Sequence, residues 1–110
     1  MPAFMLVVGS NAVPGQEKAY DEWYVNQHIP DLLNIPGIVA AQRLALLDGY
    51  KCNHKYLALY QVETDDPGEV MAELVKRSNT PLMPISPALD LENAVFRMYQ
   101  CTTPWVKKKS

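Results

Sequence analysis

Residues 23–33 read WYVNQHIPDLL, and how this stretch folds decides the rest. From Glu17 to His28, Tyr20, Trp23, Tyr24 and Gln27 recur at three- and four-residue steps, while Glu17, Lys18 and Glu22 are left for the wet side. That pattern predicts an amphipathic helix. Pro30 follows His28 by two residues. A proline inside a helix removes a backbone donor, and its ring collides with the carbonyl four residues earlier, here Asn26, at a cost of about 3 kcal/mol or more. The expectation is a break. One helical piece ends at His28, and a second, short piece starts at Pro30, where the missing donor would be unpaired anyway and Asp31 suits a helix N-terminus.

Working outward, Ala3–Gly9 (AFMLVVG) is an unbroken apolar run that fits a buried central strand, closed by a Gly-Ser-Asn turn. Past the interrupted helix, Pro36-Gly37 stops the chain. Ile38–Leu47 and Lys55–Glu63 then form two strand-like runs flanking a loop with Asp48-Gly49 as its turn. Residues 65–79 (DDPGEVMAELVKRSN) predict a second helix, with Asp65 or Asp66 as its cap, Pro67 in its first turn, and Val70, Met71, Leu74 and Val75 as its apolar stripe. Pro81, Pro84 and Pro87 make the next segment an ordered loop carrying Leu82, Met83 and Ile85. Asn93–Cys101 is the last strand. The order strand, helix, strand, strand, helix, strand is a repeated split βαβ. It predicts an α+β, ferredoxin-like βαββαβ domain over residues 1–103, with a four-stranded antiparallel sheet and both helices on one face. Residues 104–110 remain as a polar C-terminal tail.

The other sheet face needs a cover, because Leu57 and Leu59 alternate with Tyr56, Ala58 and Tyr60 and both faces are apolar. A second copy packed sheet to sheet is the simplest cover and predicts an isologous homodimer shaped as an α/β barrel. Gln42, Arg43 and Arg97, polar residues in strands, are expected to pair across that dimer or reach its rim.

A formal charge of −2, from 10 basic and 12 acidic residues, and the lack of a basic stripe interleaved with aromatics argue against nucleic acid. Lys107–Lys109 read as solvated tail. The N-terminal apolar run is too short to span a bilayer and lacks a signal peptide's basic flank, so a cytoplasmic protein is expected. Cys52 and Cys101 form neither a disulfide framework nor a metal-binding spacing.

The pairing of YDEWYVNQHIPDLL (20–33) with IPGIVAAQRLAL (35–46) resembles the EthD-like family of the dimeric α/β-barrel superfamily, whose members show a helix ending in Trp-Tyr or Trp-Phe, a His-x-Pro-Asp/Glu step, and a strand opened by Pro-Gly. The resemblance runs to about residue 103. It implies a histidine facing the cleft between helix and sheet. It leaves the chemistry open, since the superfamily holds muconolactone isomerase-like enzymes, polyketide cyclases, plant cyclases, haem-degrading monooxygenases and cofactor-free quinol oxygenases.

His28 is the acid/base candidate, because an imidazole gains and loses a proton near neutrality. Two readings stand side by side: a proton shuttle, or a cap on the broken helix through a side-chain hydrogen bond. Asp31 is the candidate carboxylate partner that would orient it, its alternative being a charge on the helix N-terminus. Trp23, Tyr24, Tyr60 and Met83 are the candidate substrate-binding residues, aromatics and a loop methionine around a ring-sized ligand. His54 is a weaker candidate as a haem ligand. No phosphate loop, metal cluster or covalent nucleophile signature is present. The reading is a cofactor-independent lyase, dehydratase or isomerase acting on a small hydrophobic cyclic or aromatic catabolic intermediate. The alternatives are a non-catalytic ligand-binding or accessory dimer, and a haem-binding or cofactor-free monooxygenase.

Overall fold

The computed structural model describes residues 3–109. Strand β1 (Ala3–Ser10) leads to a helical stretch made of α1 (Glu17–Trp23), a π-helical turn (Tyr24–His28) and α2 (Ile29–Leu33). Strands β2 (Ile38–Ala45) and β3 (Tyr56–Glu63), helix α3 (Pro67–Arg77), a 3-10 turn (Leu91–Asn93) and strand β4 (Val95–Gln100) complete the chain. The four strands form one sheet in the order β2-β3-β1-β4, and every neighbouring pair is antiparallel. This is the ferredoxin-like arrangement expected from the element order.

The helix over Pro30 does not break. Trp23, Tyr24, His28 and Ile29 all keep right-handed helical dihedrals, and the Ile29 N–H donates to the Tyr24 carbonyl five residues back. Widening the turn by one residue is how a helix passes a proline whose ring and missing donor cannot satisfy the usual ladder. The widening also re-phases the buried face. Tyr20, Tyr24, His28 and Leu32 are all buried and lie four residues apart. On an α-helix of about 3.6 residues per turn, a strict step of four drifts by about 40° each time. The π turn rotates the chain back, so His28 stays on the face that Tyr20 and Tyr24 set.

Register assigns the strand faces. Leu6 pairs with Tyr60 and Val8 with Ala58, and these residues join Val62, Tyr20, Tyr24, Leu32, Val70 and Leu74 in one core beneath the helices. On the opposite parity, Val7 pairs with Leu59, Gly9 with Leu57 and Met5 with Tyr99, leaving that face uncovered in the single chain. Arg43 departs from expectation. It turns to the helix side, donates to Asp21 at 2.9 Å and lies over the Tyr20, Tyr24 and Tyr56 rings at 5.4, 4.7 and 5.4 Å, so its partners are within its own chain. Cation–ring attraction and a stem packed on aromatics make this a satisfied, half-buried charge.

Local chemistry fixes the ends of the second helical unit. Asp66 Oδ1 accepts from the Glu69 N–H at 3.2 Å with Pro67 behind it, and Asn79 takes the left-handed backbone (φ 62°) just beyond the helix. Gly37 opens β2 with φ +99°, and a Cβ there would stand 3.0 Å from Val70 Cγ2, so α3 packs over a position that favours glycine on both counts. Asp66→Ala should lower the unfolding free energy by about 1 kcal/mol in urea titration without changing the slope, the cost of one lost N-cap.

Candidate functional site: a buried histidine on a capped cavity

Between the helices, the end of β1 and the proline-rich loop lies a cavity of about 30 Å³. Its wall includes Val8, Ser10, Tyr24, His28, Leu32 and Met83, and is largely apolar. The π turn supplies His28. Only 8% of the residue is exposed, its ring stacks on Trp23 (4.4 Å between centroids, 27° between planes), and the Tyr24 ring meets its edge at 5.0 Å. Its Nδ1 is buried with no hydrogen-bond partner among the described residues. An imidazole held this way cannot easily carry charge, and burial pushes its pKa down to about 4. The ring is neutral at pH 7, with one nitrogen protonated and the other an acceptor.

The loop is tied down on several sides. Trp23 Nε1 donates to the Pro84 carbonyl at 3.1 Å, the Val13 N–H to the Ala88 carbonyl at 2.7 Å, the Asp90 N–H to the Asn11 carbonyl at 3.0 Å, and the Asn79 N–H to the Met83 carbonyl at 2.9 Å. Met83, 1% exposed, lines the cavity from this loop together with Ile85 and Leu89. The loop is thus a cap with a hydrophobic plug, anchored to the same aromatic that supports the histidine.

Of the six candidate residues, His28, Tyr24 and Met83 line the cavity together. Trp23 stands behind them as support. Asp31 does not orient His28: its carboxylate accepts from Gln27 Nε2 at 2.7 Å, one turn away along the helix, while Nδ1 of His28 has no partner. Nor does His28 cap a helix end, for the helix continues through it. Tyr60 is wholly buried and lies outside the cavity wall, with its hydroxyl also unpartnered. Burial, with the neighbouring Tyr24, raises its pKa far above the ordinary tyrosine range. Burial likewise pushes the Tyr24 hydroxyl up to about 12, so it stays protonated and able to donate. His54 packs against Gly9, and its Nε2 bonds the Asn93 carbonyl at 2.7 Å.

Ser10 joins the site without having been expected there. It is 2% exposed, lines the cavity and shares a 2.5 Å hydrogen bond with the Tyr20 hydroxyl. The signal for it is the two-residue alternation Leu6, Val8, Ser10, which carries β1 one residue past Gly9, where the apolar run stops.

Because the folded-state pKa of His28 lies below its unfolded value of about 6.5, the unfolded chain binds more protons between them. The stability tied to the neutral ring is fully present above about pH 6.5 and is lost as the pH falls towards about 4. A gap of this size corresponds to about 3 kcal/mol. Urea titrations across that window should show this acid loss in the wild type and a markedly flatter profile in His28→Leu. Parallel profiles would contradict the buried, neutral assignment.

No protein-family model matches the chain, and no curated protein matches it by sequence. Among solved structures, it is similar to a mutant of MhuD with two manganese protoporphyrin IX bound per active site. That match has a TM-score of 0.65 at 12% identity and covers 94% of this chain and 99% of the other. An EthD family protein from Bacillus halodurans C-125 superposes with a TM-score of 0.49 at 14% identity, over 89% of this chain and 96% of that one. At such identities a likeness carries the fold and not the reaction. The order of the strands, the helices on one face and the MhuD superposition agree: the chain has a ferredoxin-like fold.

Proposed function

We propose that the protein is a cofactor-independent acid/base enzyme, a lyase, dehydratase or isomerase, that moves a proton on a small hydrophobic cyclic or aromatic molecule. The observation that carries this reading is the partnerless, buried Nδ1 of His28 on the wall of an apolar cavity. Leaving such an atom unsatisfied costs on the order of 1–3 kcal/mol, and a ligand polar group reaching it would recover that energy. In the proposed reaction His28 takes a proton from a carbon or hydroxyl of the substrate and returns it elsewhere. The low pKa makes the resting imidazole a weak base and the imidazolium, once formed, a ready donor, so a bound substrate group that stabilises the charged ring has to assist the first transfer. Tyr24, still protonated, donates to the oxygen on which charge develops. Trp23 holds the imidazole plane, and Asp31 has no direct part.

The closed cavity is about water-sized. A ring the size of benzene needs roughly 150 Å³, so in this reading side chains of the cap, Met83 among them, move aside to admit the substrate. A porphyrin is far larger still, and His54 is already bonded to Asn93. Both observations count against the haem reading. We further propose that the working unit is a homodimer joined through the uncovered sheet face, where Leu44, Leu57 and Tyr99 are exposed in the single chain.

Deuterium exchange from solvent into a panel of cyclic ketones and lactones, β-tetralone among them, tests the chemistry. For at least one member, wild-type protein should exchange the acidic C–H about a hundredfold faster than His28→Ala, with both proteins folded by circular dichroism. Equal rates across the panel would leave His28 without a catalytic part and favour a binding protein. Met83→Ala should take up toluene or indole more tightly than the wild type in a thermal-shift titration, because it removes the plug.

A further inference from the structure

Beyond β4 the chain leaves the sheet. The Cys101 N–H still donates to the Ala3 carbonyl at 3.0 Å, and after it no hydrogen bond among the described residues anchors residues 102–109. Trp105 and Val106 on this arm are each 81% exposed, the most exposed large apolar side chains among the described residues. The arm nevertheless runs beside the uncovered face. Trp105 shares one cleft of about 310 Å³ with Met5, Gln42, Leu59 and Gln61, and a second of about 480 Å³ separates the arm from Met5, Gln61 and the end of β3.

Charge narrows what could fill these clefts. By register, the uncovered face presents Met5, Val7, Leu57, Leu59, Leu44 and Tyr99, with a single carboxylate, Glu63, and a single guanidinium, Arg97, among its strand residues. A patch that is apolar in bulk and balanced in sign does not select a charged partner, but it is compatible with itself under a two-fold axis. The arm borders that patch across the two clefts.

We infer that residues 102–106 form a clasp: in the dimer, Trp105 and Val106 of each copy close over the apolar sheet face of the other, filling the clefts that the single chain leaves beneath the arm. This rests on the proposed sheet-to-sheet dimer and goes beyond it. The face alone would make the interface; the clasp adds a buried tryptophan at its border, and tryptophans anchored in apolar pockets dominate interface energetics.

Sedimentation equilibrium of the wild-type chain, Trp105→Ala and Val106→Asp tests it, together with the fluorescence that Trp105 contributes, taken as wild type minus Trp105→Ala. The wild type should dimerise, and each variant should raise the dimer Kd by at least about tenfold while keeping the wild-type circular dichroism. The Trp105 emission should be blue-shifted and shielded from acrylamide in the dimer, and become quenchable on dilution. A wild-type dimer whose Kd neither variant changes, with Trp105 open to acrylamide, would overturn the clasp and leave the dimer standing. A wild type that stays monomeric at all concentrations would overturn both.

Discussion

The architecture around the site depends on one constraint, the absent N–H of Pro30. A regular α-helix through this position would leave the Asn26 carbonyl against the proline ring. The chain instead takes a turn closed by the Ile29 N–H on Tyr24 and continues as a helix to Leu33. The consequence reaches beyond the backbone. With one extra residue in the turn, a sequence spaced by fours keeps one face towards the sheet, and Tyr20, Tyr24, His28 and Leu32 share a single buried stripe. Wide turns of this kind recur at functional sites because they alter the aim of a side chain without ending the element that holds it.

What the turn delivers is a histidine in an environment that does not charge it. Trp23 lies against one face of the ring, Tyr24 meets its edge, and Nδ1 has no carboxylate to pair with among the described residues. The Asp31 carboxylate sits close by along the helix but is bonded to Gln27. The Arg43 charge is matched by Asp21 and covered by three tyrosine rings, so it is spent within its own cluster. Two buried polar side-chain atoms stay unsatisfied among the described residues, Nδ1 of His28 and the Tyr60 hydroxyl oxygen. Buried polar groups are nearly always paired, so such atoms point to strain or to a missing ligand. The cavity beside His28 favours the ligand; the Tyr60 hydroxyl, off the cavity wall, lies next to that of Tyr24.

Much of this was legible in the residues. The alternation of strand and helix patterns set the topology, Asp66 and Pro67 announced a helix start, and Met83 stood out in a loop too rich in proline to be regular. Three features were not. Proline read by local rules means a break, because propensity weighs the residue and not the cost of ending a helix whose next turn carries Leu32 into the core. The step of four from Tyr20 to Leu32 was the available sign of a wider turn. Arg43 was expected at a dimer rim because a strand arginine has no partner visible in one dimension; the bulge between Ile38 and Ala40 sets which face it takes, and that placed it over the tyrosines. Asp31 failed as a partner for the same reason that helix neighbours usually win: Gln27 is one turn away on its own face.

The central claim is that burial on the π turn keeps His28 neutral and its Nδ1 free. Nitrogen-15 NMR of the imidazole rings, followed from neutral pH into acid, measures this directly. The account predicts a neutral tautomer for His28 at pH 7 that protonates only with a midpoint of about 4. A midpoint near the ordinary value of about 6.5 would mean a solvated or ion-paired ring and would contradict it.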